Sequence, residues 1–291
     1  MKSLTVEQKF EEKNLVTYLT NKFPSLKLGS VYKALRKKDI KINGIRINKN
    51  VTLHFKDKLD IYISDYELYG VNLQDIKTIY EDNNIIVFYK PINLEVVGDF
   101  SLTSIMGKSY SFLEPCHRID RNTTGLVLYA KNEESLNILL NKFKQKEIKK
   151  HYICVCYGIP AKNSEDLKAY LFKDSKRSIV YISDEPKKGY SKIFTSYKVI
   201  SVNREKNLSL LNITLHTGKT HQIRAHLAHV GLPILGDGKY GSYQINKKFG
   251  ITTQLLCSYS LLFKFSDNND ILSYLNEKEI KLTQIPFFEF L

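Results

Sequence analysis

From Lys77 onward the chain is punctuated by short runs of strand-forming residues, and their recurrence restricts the fold more than any other feature. TIYEDNNIIVFYKP reads as a hairpin turning at Asp82 to Asn84, and LVLYAK, bounded by Gly125, reads as a buried strand. Strand patterns follow at HYICVCYGI, FTSYKVISV and LSLLNITLH, the last two joined by the turn NREKN. Helical spacing intervenes in SLNILLNKFKQKE, where Leu136, Leu139, Leu140 and Phe143 share a face. In TGKTHQIRAHLAHVG, Thr220 is placed to cap a short helix ending at Gly231, with Pro233 just beyond. The pattern predicts an α+β domain with a mixed, largely antiparallel sheet flanked by helices.

The 291 residues leave room for a second, smaller domain ahead of this one. NLVTYLTNKF has helical apolar spacing, and Ser30 is placed to cap a second helix, VYKALRKK. DIKINGIRIN alternates on both sides of Asn43-Gly44, a strong hairpin signal, and VTLHF with KLDIYIS reads as another strand pair. We therefore expect a small α+β domain over residues 12–65, a linker over 66–76 and the larger domain over 77–291. Charge is concentrated in the first of these. The chain carries 44 basic and 30 acidic residues, and residues 21–50 hold Lys22, Lys27, Lys33, Arg36, Lys37, Lys38, Lys41, Arg46 and Lys49 against the single acid Asp39. A solvated face could look like this, but so concentrated a cluster suits the phosphates of a nucleic acid.

Candidate chemistry begins at HRIDRNTTG, residues 117–125. A polar cluster of this kind is usually a solvated turn whose Asp accepts backbone hydrogen bonds. Here it stands at the mouth of a buried strand, with Asp120 between Arg118 and Arg121. Such a carboxylate would keep its charge and lose mobility, which suits a nucleophile or an electrostatic stabiliser.

Two resemblances extend this reading. VYKALRKKDIKINGIRIN, within residues 12–65, resembles the S4 RNA-binding domain, which implies that Lys33, Arg36, Lys37, Lys38, Lys41 and Arg46 contact structured RNA through its backbone. YKPINLEVV, HRIDRNTTGLVLYAK, KKHYICVCYGIP, TGKTHQIRAHLAHVGLPILGDGKYG and LLCSYSLLF resemble, in order and spacing, the RluA family of pseudouridine synthases. Departures from its motifs are Ile119 for Leu, Thr124 for Ser and Lys219 for Arg. The resemblance implies that Asp120 is the catalytic carboxylate, that Tyr152 packs against the target uracil and that Arg224 is the basic partner of the carboxylate. Arg118 would enter the helix space left by the flipped base. The implied reaction breaks the N1–C1′ bond of uridine, rotates the uracil and rejoins it through C5, with no cofactor. The carboxylate could act at C1′, at C2′ or at C6 of the ring. Because the uracil is stacked within RNA, the base must be flipped out.

In that family an S4 domain ahead of this motif usually accompanies enzymes acting on large-subunit ribosomal RNA, while shorter members without it often modify tRNA. The expected partner is therefore 23S rRNA or an assembling large subunit. The alternatives are a tRNA synthase, or an RNA-binding clamp with little activity. His216, His221, His226 and His229 invite a metal reading, but no Cys or carboxylate joins them at ligand spacing, so no metal is expected. Cys116, Cys154, Cys156 and Cys257 lack CxxC spacing and read as reduced thiols. No apolar signal core and no run of about 18 apolar residues is visible, so we expect a cytoplasmic monomer with no membrane partner.

Overall fold

The computed structural model describes residues 2–267 and 269–291, and the chain divides into two compact units with the boundary between Asp75 and Ile76. The first unit contains β1 (Lys2–Thr5), α1 (Leu15–Lys22), α2 (Leu28–Lys37), β2 (Ile40–Ile42), β3 (Ile45–Ile47), β4 (Lys58–Ile61) and α3 (Asp65–Tyr69). Its sheet runs β1-β4-β2-β3 with antiparallel pairs throughout. Asn14 caps α1 by accepting from Thr17 N at 2.9 Å. Asn43 and Gly44 both have positive φ, +50° and +82°, as a tight hairpin turn between twisted strands requires. Tyr18, Leu19, Val31, Leu35, Leu59 and Ile61 fill the core between helices and sheet.

Two expectations for this unit are corrected. Helix α2 starts at Leu28, so Ser30 lies in its first turn and its hydroxyl donates to Glu67 Oε1 at 3.1 Å instead of capping. VTLHF is not a strand; Leu53 is buried as a core plug, and β4 pairs instead with β1, whose polar KSLT carries little hydrophobic pattern. Helix α3, capped by Ser64, runs on into residues 66–69 of the predicted linker, where Leu68 is buried in the first unit's core.

The second unit contains β5 (Lys77–Glu81), β6 (Ile85–Lys90), α4 (Leu102–Met106), β7 (Glu114–Pro115), β8 (Thr124–Ala130), α5 (Glu133–Lys144), β9 (Ile148–Tyr157) and β10 (Ser164–Asp174). It continues with β11 (Ile179–Ser183), β12 (Ser191–Asn203), β13 (Leu208–Leu215), α6 (Gln222–His229), α7 (Tyr243–Phe249), β14 (Leu256–Phe263) and β15 (Glu279–Lys281). Among the described residues, nine strands form one path, β11-β10-β12-β13-β9-β14-β8-β6-β5, with β15 on β14 and β7 on β8. The pairs are antiparallel except β8 with β14, which gives the mixed, mainly antiparallel sheet expected. Helix α5 buries Leu139, whereas Leu140, expected on the same face, is exposed. Successive helical residues point about 100° apart, so the two cannot share a narrow buried stripe. The helix after TGKTH begins at Gln222, not at a Thr220 cap, because the Gln222 side chain closes the turn: its Oε1 accepts from Lys219 N at 3.1 Å and Thr217 Oγ1 at 2.9 Å. Among the described residues, no helix is long and apolar enough to cross a membrane.

The parallel contact sets the approach to the site. Ser258 of β14 pairs with Gly125 on one side and Tyr152 on the other, so it joins the strand that follows Asp120 to the strand that carries Tyr152. Gly125 has φ +106°, and a Cβ there would stand 2.2 Å from Ser258 O and 2.6 Å from Ser258 N. Neither backbone atom can step aside without parting the strands. Gly125→Ala is therefore expected to cost at least about 2 kcal/mol through overpacking and backbone strain. Thermal unfolding of the variant checks this, and an unchanged midpoint would contradict it.

Candidate active site

A chain of three charged side chains runs from the interior to a cavity. Asp237, in the turn after Gly236, is fully buried and accepts two bonds from Arg224 of α6, Nε to Oδ2 at 2.7 Å and Nη2 to Oδ1 at 3.0 Å. Its Oδ1 also accepts from Lys239 N at 2.8 Å and Tyr240 N at 3.1 Å. The remaining arm of the guanidinium, Nη1, donates to Asp120 Oδ2 at 3.0 Å. Side-chain exposure rises outward, from 0% at Asp237 through 9% at Arg224 to 29% at Asp120. The buried carboxylate thus aims the guanidinium, and the guanidinium holds a carboxylate that meets solvent.

The electrostatics follow this order. Burial pushes the Asp237 carboxyl up, but the Arg224 hydrogen bonds and charge outweigh it and hold it below the usual carboxylate range. Burial works against the Arg224 cation, yet Asp237 and then Asp120 raise it above its ordinary value. Asp120 lies in the turn before β8, where its carbonyl accepts from Thr123 N at 3.0 Å. Tyr152 is buried, and burial followed by the Asp120 charge pushes its phenol well above the ordinary range, so it presents a neutral ring. A cavity of about 250 Å³ brings these together, with Asp120, Tyr152, Arg224, His117, Lys150 and His221 in its walls.

Lys90, which the sequence offers only as the end of a strand, is fully buried near this site. Its Nζ donates to the carbonyls of Pro91, Leu94 and Arg121 at 2.9, 2.7 and 3.0 Å, which ties the segment after β6 to the loop that carries Asp120. Burial drives it down to about 7, against an opposing pull from Asp120. Above that pH the folded amine loses a proton, and with it one of these three donated bonds, while the unfolded chain keeps its proton up to about 10.4, so this group makes stability rise with pH across that window. Denaturant unfolding at pH 7 and pH 9 is expected to show this gain in the wild type and to show less of it in Lys90→Met.

One reading of the site is corrected. Asp120 is not held between its sequence neighbours: Arg118 is exposed, Arg121 Nε donates to Asn93 O at 3.1 Å, and the cation on Asp120 comes from α6. Asp237, which the sequence does not single out, anchors Arg224. Of the histidines, His226 is buried against Thr195 Oγ1 and burial lowers it to about 4, while His229 pairs with Asp184. The basic residues Lys33, Arg36, Lys37, Lys38, Lys41 and Arg46 lie in the first unit, on α2, its C-terminal cap and the β2–β3 hairpin. Lys41 and Arg46 approach the Tyr62 ring at 5.5 and 5.7 Å.

Comparison with known proteins gives this arrangement a family. The RNA pseudouridylate synthase family matches residues 84–229. The chain belongs to that family and is an RNA pseudouridine synthase. Ribosomal large subunit pseudouridine synthase C of Rickettsia conorii is 33% identical over 250 residues, 78% of this chain and 82% of that one. The protein of the same name from Rickettsia prowazekii is 31% identical and covers 93% of each chain. An RNA pseudouridine synthase of Mycoplasma capricolum is 31% identical over 96% of this chain and 97% of its own. The fold is also that of human RNA pseudouridylate synthase domain containing 1, with a TM-score of 0.58 at 19% identity over 67% of this chain and 81% of that one.

Proposed function

We propose that this synthase isomerises uridines of large-subunit ribosomal RNA, with Asp120 as the catalytic carboxylate. The observation that carries the residue assignment is the 3.0 Å contact of Asp120 Oδ2 with Arg224 Nη1 in a cavity walled by Tyr152. A partly exposed carboxylate, backed by a buried guanidinium, can approach the ribose or the ring of a flipped uridine. Tyr152 offers its neutral ring to the face of the detached uracil, so the base can turn from N1 to C5 without escaping. Arg118 is exposed at the mouth, where it can fill the gap that the base leaves in the RNA stack.

The substrate rests on two supports: the relatives named for the large ribosomal subunit, and the basic first unit, whose α2 and hairpin cations suit an RNA backbone in the manner of an S4 domain. The test is pseudouridine content, read by mass spectrometry, after incubating the protein with unmodified 23S rRNA and separately with unmodified tRNA. Conversion in 23S rRNA is expected. Conversion in tRNA alone would overturn the substrate, and binding of both RNAs without conversion would favour a clamp.

A further inference from the structure

A second cavity, of about 300 Å³, adjoins the first and shares with it the segment Arg118–Asp120 and the turn Gly218–Lys219. Its other walls are Glu95, Val96, Val97, Arg121 and Thr220. Reading the first cavity as the seat of the flipped uridine does not use this one. RNA is continuous, however, and a uridine in the first cavity has a neighbour one phosphate away.

The walls are chemically divided. Lys219, common to both cavities, is exposed and has no carboxylate partner among the described residues, so it remains available to a phosphate, whereas Arg118, also common to both, is the side chain assigned to the RNA stack. Val97, 57% exposed, offers an apolar surface to the face of a base, and Val96 in the same wall is buried. Glu95 is an exposed carboxylate with no ion-pair partner among the described residues. Its backbone is nonetheless fixed on both sides. Lys90 Nζ holds Leu94 O at 2.7 Å, Leu102 N donates to Glu95 O at 2.8 Å, and Thr103 holds Val96 O through its amide and its hydroxyl at 3.0 and 2.7 Å. An acceptor-only group on an anchored segment beside a free cation is poorly suited to bind phosphate itself. It is well suited to read hydrogen-bond donors on a base whose phosphate Lys219 holds.

We propose that this cavity takes the nucleotide adjoining the target uridine and that Glu95 selects guanine there. Unpaired RNA bases are read on their Watson–Crick edges. An ionised carboxylate offers two acceptor oxygens and no donor. Guanine alone presents two adjacent donors on that edge, N1–H and the N2 amine, which match the two oxygens. Adenine and cytosine present one donor group beside an acceptor nitrogen, and uracil presents one N–H between two carbonyls that would face the carboxylate. The inference rests on the first cavity being the uridine site.

Short RNAs that differ only at the nucleotides flanking the target test it, with guanosine replaced by inosine, which lacks the N2 amine, on the 5′ side or the 3′ side. Dissociation constants and kcat/KM are measured for the wild type and Glu95→Gln. In the wild type, inosine on one of the two sides is expected to weaken binding about tenfold, the scale of a paired hydrogen-bond contact. Glu95→Gln is expected to bring the guanosine RNA down to the inosine level and to make no distinction between them. Equal affinity of the wild type for guanosine and inosine RNAs on both sides overturns the subsite, whatever the turnover. Discrimination in binding without conversion of any RNA would leave the subsite standing and overturn the proposed function.

Discussion

Asp120→Asn is expected to reduce pseudouridine formation by about 10³-fold or more while leaving the fold and RNA affinity nearly unchanged. The structure explains why these effects should separate. Asn keeps the size of Asp and its side-chain oxygen can still accept from Arg224 Nη1, but it has no charge and no nucleophilic or basic oxygen. Nor does the exchange strand a buried cation, because Arg224 retains both of its bonds to Asp237. The side chain is partly exposed, so little packing is lost. Single-turnover assays of pseudouridine content, run beside thermal unfolding and RNA-binding measurements, check all three expectations. Turnover near the wild-type rate would remove Asp120 from the mechanism; lost RNA affinity with an intact fold would make it a binding residue.

The parts of this architecture legible in the sequence are those governed by local pattern. Short runs of strand-forming residues marked β6, β8, β9, β12 and β13, and Asn43-Gly44 marked the turn between β2 and β3. Asp120, Tyr152 and Arg224 stand out through motifs spread over about a hundred residues, and the fold places all three in the walls of one cavity. What escaped depends on burial and on distant partners. The sequence signal for β10 is the alternation of Leu167, Ala169 and Leu171, buried along an otherwise polar strand. Strand β1 is invisible as a pattern because its value lies in satisfying the backbone of β4. Lys90 before a proline and Asp237 between two glycines carry the local signatures of a strand end and a turn. Their importance comes from being ionisable and fully buried, which no neighbouring residue announces.

That burial makes Asp237 the more damaging position for the fold. With Asp237→Ala, Arg224 loses two of its three hydrogen bonds and keeps a mostly buried charge, compensated only by a carboxylate at the cavity wall. The amides of Lys239 and Tyr240 lose their acceptor as well. Breaking one side of a buried ion pair costs about 3–5 kcal/mol, which in a chain of this size is a fall of roughly 10 °C in the unfolding midpoint. Asp120→Asn removes the same formal charge from the same network and should move the midpoint far less, since the guanidinium stays anchored. Catalysis should suffer in both, for different reasons: one variant lacks the reacting carboxylate, and the other lacks the anchor that aims Arg224 Nη1 at it. Calorimetry of both variants, with turnover measured at a temperature where each remains folded, separates the two roles. If Asp237→Ala unfolded no earlier than Asp120→Asn, the buried pair would not be the anchor described here. If it unfolded early but turned over normally while folded, Asp237 would serve the fold alone, and Arg224 would find its aim from α6 without help.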